Sequence, residues 1–141
     1  MAQVTITQNT ADSDNDGIGN GGGVYNGSPI LILDHGIVAE NYDTPNNLCT
    51  SLKHPDISGP IHSDDGYNLI GNTTGATFSG STSHDLIGVN PLLGPLAYNG
   101  GPTFTHALLP GSPAIDAVDS CSPRSSDWGP PSKTATATAW P

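Results

Sequence analysis

Positive charge is almost absent from this chain. Three Lys and Arg residues stand against 13 Asp and Glu, for a formal net charge of -10, and Lys53 is the single basic side chain before Arg124. A surface of that sign repels phosphate backbones, which excludes nucleic acid as a partner. Long apolar runs are missing too. No window approaches the roughly 20 apolar residues that a membrane-spanning helix needs, so no transmembrane segment is expected. The opening MAQVTITQN has neither the basic start nor the apolar stretch of a secretion signal. Against these absences stand 18 Gly and 13 Pro, with a larger number of Asn, Asp, Ser and Thr. That composition favours turns and excludes a helical bundle. The 141 residues suffice for one modest domain with a continuous core.

The apolar runs that do occur are short and fenced by Gly or Asx clusters: VTIT from Val4, VYN from Val24, ILIL from Ile30 and IVAE from Ile37. Alternation over four or five residues between turns describes strands that each cover one side of a narrow core. Two segments echo one another 32 residues apart, Ile6-Thr7-Gln8-Asn9 and Val38-Ala39-Glu40-Asn41. That period suits one coil of a solenoid. Asn at a recurring turn tolerates the left-handed backbone, and its amide can bond equivalent backbone above and below. Between the echoes, Gly21-Gly22-Gly23 permits a sharp corner before Val24-Tyr25-Asn26 resumes. An irregular β-sandwich with Gly-rich hairpins fits the same pattern.

In the second half stand Gly66-Tyr67-Asn68-Leu69-Ile70-Gly71, then the run DLIGVNPLLGPL from Asp85 to Leu96, then NGGPTFTHALLPGSPAIDA from Asn99 to Ala117. Over roughly residues 45 to 120 these strings, in order and spacing, resemble the C-terminal module of the choice-of-anchor Q family. The GGGVYN and ITQN/VAEN pieces are similar to repeats of polymorphic outer-membrane proteins. The resemblance implies an all-β fold, a right-handed single-stranded parallel β-helix fragment with an irregular C-terminal cap. It also implies an exported bacterial protein, extracellular or at the cell surface. The expected division is terminal coils over 1–45, family-like coils and cap over 46–120, and a disordered tail over 121–141. Residues 89–118 are expected to supply the closing coils and the cap, because Pro91, Pro95, Pro102, Pro110 and Pro113 each remove a backbone donor.

The two ends of the chain carry their own expectations. Val4–Thr7 opens a stacked array with an uncapped strand, which predicts further rungs ahead of Met1. The tail CSPRSSDWGPPSKTATATAWP departs from the family pattern. It reads as an Asp-Gly repeat translated one base out of register, so Arg124, Trp128 and Trp140 would carry no functional information. Family relatives carry a cysteine near Ala76 and another beyond the divergence, so Cys49 and Cys121 either have lost their partners or pair with each other in an oxidising exterior.

The sharpest local constellation is Asp12-Ser13-Asp14-Asn15-Asp16-Gly17, which opens like a calcium loop. Alternate hard oxygen ligands with Gly at the turn are what Ca²⁺ requires. Asp12, Asp14 and Asp16 are therefore the candidate metal ligands and calcium the candidate cofactor. The position of an EF-hand's bidentate Glu is Gly23, however, so a solvated acidic loop is the competing reading. Catalytic signals are sparse: Lys53 is the lone cation outside the tail, Asp64-Asp65 the lone adjacent carboxylate pair, and neighbours in a strand point oppositely. His35, His54, His62, His84 and His106 show no metal-ligand spacing. His106 reads as a packing or hydrogen-bonding residue. The expectation is a non-catalytic structural or adhesive element, not an enzyme, whose partners are glycans, other surface proteins and upstream coils of a longer parent chain. The alternative is the C-terminal part of a carbohydrate-active β-helix enzyme, lyase or hydrolase, with its catalytic coils upstream.

Overall fold

A computed structural model of the chain describes residues 1–17, 19–28, 31–44, 54–63 and 66–118. The described residues form ten strands and no helix: β1 (Thr5–Ile6), β2 (Val24–Tyr25), β3 (Ile32–Leu33), β4 (Ile37–Val38), β5 (Ile57–Ser63), β6 (Leu69–Ile70), β7 (Ala76–Gly80), β8 (Leu86–Ile87), β9 (Leu93–Ala97) and β10 (Thr105–Leu108). Frequent Gly, Pro and Asx positions keep most of them to two residues, too short to stand outside a larger sheet.

The first sheet runs in the order β1-β4-β6-β8, every pairing parallel. Thr5, Ile37, Leu69 and Leu86 share one column, and Ile6, Val38, Ile70 and Ile87 the next. The two segments that echo in sequence are thus laid side by side in register, and the bridges Ala2↔Asp34 and Thr10↔Tyr42 prolong the match at both ends. Successive returns are separated by 32, 32 and then 17 residues.

In the second sheet β5 is central, flanked by β2 and β3 on one side and β7 on the other, again all parallel. Pro60 sits inside β5, where a missing donor would ordinarily break pairing. It lies opposite the interval between β2 and β3, and its carbonyl accepts the Asn26 amide at 2.6 Å. Gly59, at φ +105, leaves no room for a Cβ against the Asn26 carbonyl oxygen. Between the sheets lies a small aliphatic core of Leu33, Val38, Ile57, Ile61 and Ile70, with Val4, Ile6, Val24, Leu31, Ala76 and Phe78 packed against it.

Residues 89–118 differ from the expected closing coils. β9 and β10 form an antiparallel hairpin bonded to each other, and neither joins β8. The Asn99-Gly100-Gly101-Pro102 connection explains this, because an antiparallel return needs only a short loop whereas a parallel one needs a crossover. The segment runs beside the first sheet. Thr5–Thr7 and Asn9 share a cavity with Leu96, Phe104, Thr105 and His106, and Ile37, Leu69 and Leu86 share another with Leu108, Ala114, Ala117 and Val118. Its own turn is fixed by the Ser112 hydroxyl donating to the Pro91 carbonyl at 2.5 Å.

Candidate functional site

Among the described residues, a pair of amide–carboxylate ladders lies at the corners of the first sheet. In the first ladder, Asn41 Oδ1 accepts the main-chain N–H of Asn9 at 3.1 Å and its Nδ2 at 3.0 Å. Asn41 Nδ2 donates to Ile6 O, to Ala39 O and to Asp56 Oδ1 at 3.0, 3.1 and 2.9 Å. Asp56 Oδ1 also takes the Asn41 N–H, while its Oδ2 takes the Asn72 N–H at 2.6 Å. One carboxylate therefore ties the second return of chain to the third. Burial pushes the Asp56 carboxyl above its ordinary value, and the three donors from Asn41 and Asn72 only partly counter it.

The second ladder repeats the arrangement at the opposite corner. Asn68 Oδ1 accepts the Gly36 N–H, and its Nδ2 reaches Leu33 O, Ser63 Oγ and Asp85 Oδ1. Asp85 Oδ1 takes the Asn68 N–H as well, in the manner of Asp56 and Asn41. Here the likeness ends, because Asp85 Oδ2 is buried with no partner among the described residues.

The amide bonding between stacked asparagines agrees with the sequence expectation; the backbone conformation does not. The left-handed residues are Gln8 and Glu40, at φ 58 and 60, one position before the asparagines. A second left-handed column is Gln3, His35 and Tyr67. It starts a stack of rings, with His35 over Tyr67 at 5.5 Å and Tyr67 over His84 at 4.6 Å. That stack lines the cavity of about 140 Å³ closed by Leu108, Ala114, Ala117 and Val118.

Asp12, Asp14 and Asp16 are brought together, with one oxygen from each within 4.8 Å of the others. Asp12 is buried, and Asp14 and Asp16 are exposed. Burial alone would raise the Asp12 carboxyl; the Gly17, Asp16 and Asn15 N–H groups and the Asp14 side chain outweigh it and hold it below its ordinary value. Asp16 N and Gly17 N donate to its two oxygens at 3.0 and 2.8 Å, and the Asp12 N–H anchors the loop on Asp43 O. Three carboxylates fall short of the six to eight oxygens Ca²⁺ takes, so an ion there would need carbonyl and water ligands besides.

Among the described residues three hydroxyls approach an imidazole: Ser79 Oγ lies 3.2 Å from His62 Nδ1 and Ser83 Oγ 3.2 Å from His84 Nδ1, both at exposed positions, and the third pair is partly buried. Ser58 Oγ lies 3.1 Å from His54 Nδ1, but the same nitrogen faces Asn20 Oδ1. An amide oxygen accepts only, so Nδ1 carries the proton and Ser58 faces a donor rather than a base. His106 Nδ1 donates to Gly94 O at 2.8 Å and fastens the hairpin. Lys53, Asp64, Asp65, Cys49, Cys121 and the tail lie outside the described residues. Sequence reasoning missed Asp56, Asn68 and Asp85; the usable signal was the column Gly36, Asn68, Asp85, hidden by the change of spacing from 32 to 17.

No helix among the described residues is long and apolar enough to cross a membrane. Comparison with family models, with curated proteins and with solved structures returned no match.

Proposed function

We propose that the chain is a stacked-rung structural element: a segment of a right-handed parallel β-helix from an exported or surface protein, with its hairpin as the cap, acting as a scaffold or adhesive module rather than a catalyst. The observation that supports this most is the use made of the buried polar side chains. Asn41, Asp56 and Asn68 each direct hydrogen bonds at neighbouring returns of chain, which serves stacking. Such a stack presents flat polar faces to glycans or other surface proteins, as the resemblance to the choice-of-anchor Q module also suggests. The test pairs two assays on the full chain. Retention on immobilised acidic and neutral glycans, with no release of reducing or unsaturated ends, supports the reading. Turnover of a polysaccharide would replace it with the carbohydrate-active alternative.

A second reading concerns the Asp12 loop, and the convergence of three carboxylate oxygens favours it. Calcium held there would neutralise Asp14 and Asp16 and stiffen the connection between β1 and β2, stabilising the scaffold.

A further inference from the structure

Three asparagines of the chain are followed directly by glycine: Asn20-Gly21, Asn26-Gly27 and Asn99-Gly100. A glycine N–H has no Cβ beside it, so its nitrogen can approach the Cγ of the preceding asparagine side chain unhindered. A β-branched follower such as Thr10 or Thr73 crowds that approach, and Pro91 after Asn90 has no N–H to offer. Closure still requires the side chain and the peptide beyond it to swing into line. The fold grants that swing unequally.

Asn26 is pinned. Its N–H donates to Ser58 O at 2.8 Å, its Nδ2 donates to Pro60 O at 2.6 Å, and its Oδ1 takes the Ser28 N–H at 3.0 Å. Its carbonyl oxygen stands where a Cβ on Gly59 would sit. Asn20 is exposed, but its Oδ1 faces His54 Nδ1. Gly21 is buried at φ +69, with the Val24 carbonyl against it. Asn99 differs on each count. It is exposed in the connection between β9 and β10, and no main-chain hydrogen bond fastens Asn99, Gly100 or Gly101 among the described residues. Gly100, at φ +93, has nothing within 4 Å of its Cβ position. What holds the Asn99 side chain is its Nδ2, which donates to Thr105 O at 2.8 Å and to Thr105 Oγ1 at 3.0 Å, across the base of its own loop.

We propose that Asn99 is a site of spontaneous deamidation and that its conversion unfastens the β9–β10 connection. The Gly100 nitrogen gives its proton to solvent and bonds to Asn99 Cγ. The Cγ–Nδ2 bond breaks, and ammonia leaves. Water then opens the cyclic imide at one carbonyl or the other, giving aspartate or isoaspartate. Nothing is oxidised or reduced, and water is the one co-reactant. The product has lost both donors to Thr105. A carboxylate only accepts, so it turns an acceptor toward the Thr105 carbonyl oxygen. Isoaspartate in addition lengthens the main chain of the loop by one carbon. The modification goes beyond the scaffold reading and needs no ligand.

Peptide mapping by mass spectrometry tests the site on the full chain, held in mildly alkaline buffer with and without urea. In urea the three pairs convert alike. In the folded chain Asn99 stays near its rate in urea, while Asn20 and Asn26 fall behind it by at least about tenfold, because their reacting atoms are held out of line. Asn99→Gln, one methylene longer, stops conversion at that position. Asn99→Asp, which is one of the two products, speeds hydrogen exchange of the Thr105–Leu108 amides several-fold and leaves the Leu69 and Ile70 amides unchanged. Equal rates at the three pairs without urea, or a faster Asn20 or Asn26, overturn the proposal. So does an Asn99→Asp hairpin that exchanges no faster than that of the natural chain.

Discussion

Asn41 and Asp56 are hydrogen-bonded twice through one carboxylate oxygen, the Asp56 Oδ1 accepting both the N–H and the Nδ2 of Asn41 at 2.9 Å. A buried acceptor held by two donors of one residue cannot be replaced by water, which puts Asn41 at the centre of the fold's stability. Asn41→Ala strips partners from Asp56, from Ile6 O and from Asn9. At about 1–3 kcal/mol for a buried group left unsatisfied, a loss of roughly 2–4 kcal/mol is expected in urea unfolding. Asn90→Ala, at an exposed asparagine in a local turn, should stay within about 0.5 kcal/mol. Equal losses would show that the ladder adds nothing.

The raised Asp56 carboxyl gives a pH signature with a defined sign. The folded protein holds this proton more tightly than the unfolded chain, so between 3.8 and the raised folded value the native state binds the excess proton. Stability contributed by Asp56 is therefore greatest below 3.8 and declines as pH rises through the folded value. Asp56→Asn removes the titration, so the stability of the natural protein minus that of the variant should fall across this window. Asp12 acts oppositely. Its lowered carboxyl contributes stability that is present above 3.8 and is lost as pH falls through its folded value. Unfolding curves of Asp56→Asn and Asp12→Asn from acid to neutral pH read the two slopes. A flat difference for Asp56→Asn would mean that its burial does not govern its proton.

Much of this was legible in the sequence and some was not, for physical reasons tied to particular residues. The echo of Ile6–Asn9 in Val38–Asn41 was readable because both the aliphatic residue and the amide recur at a constant interval. The third return hides itself. Ile70 keeps the aliphatic column, but Thr73 stands where the amide would be, and Asp56, from the preceding return, supplies the bond to Asn72 instead. The ring stack escaped notice because Tyr67 stands between the two histidines, His35 and His84, and the three are unequally spaced. The hairpin was misread because prolines that block pairing in a parallel array also suit a short antiparallel ribbon.

Tyr67 combines two opposing effects that substitution can separate. Its ring lies between His35 and His84, whereas its φ of 62 is unfavourable for any residue with a Cβ. Tyr67→Ala should lose the stacking and keep the strain. Tyr67→Gly should lose the stacking and relieve the strain, recovering about 1 kcal/mol relative to Ala. Thermal melts of the pair decide it, and Gly melting below Ala would contradict the left-handed assignment.

Calcium is tested by titration on the full chain. If the Asp12 loop holds the ion, the melting temperature rises with calcium in the millimolar range, following the mass action of a ligand bound only to the native state. Asp14→Ala, which removes an exposed ligand while leaving Asp12 and its N–H donors in place, should abolish the rise. An unchanged melt, or a rise that survives Asp14→Ala, would leave the loop as a self-bonded acidic turn.

In-register parallel stacking of successive returns is measured most directly by proton–proton contacts in the ¹⁵N,¹³C-labelled chain. Contacts across Thr5/Ile37, Ile37/Leu69 and Leu69/Leu86 are predicted, with close Hα–Hα pairs confined to the β9–β10 hairpin. Hα–Hα pairs between β1 and β4, or no contact between Leu69 and Leu86, would contradict it.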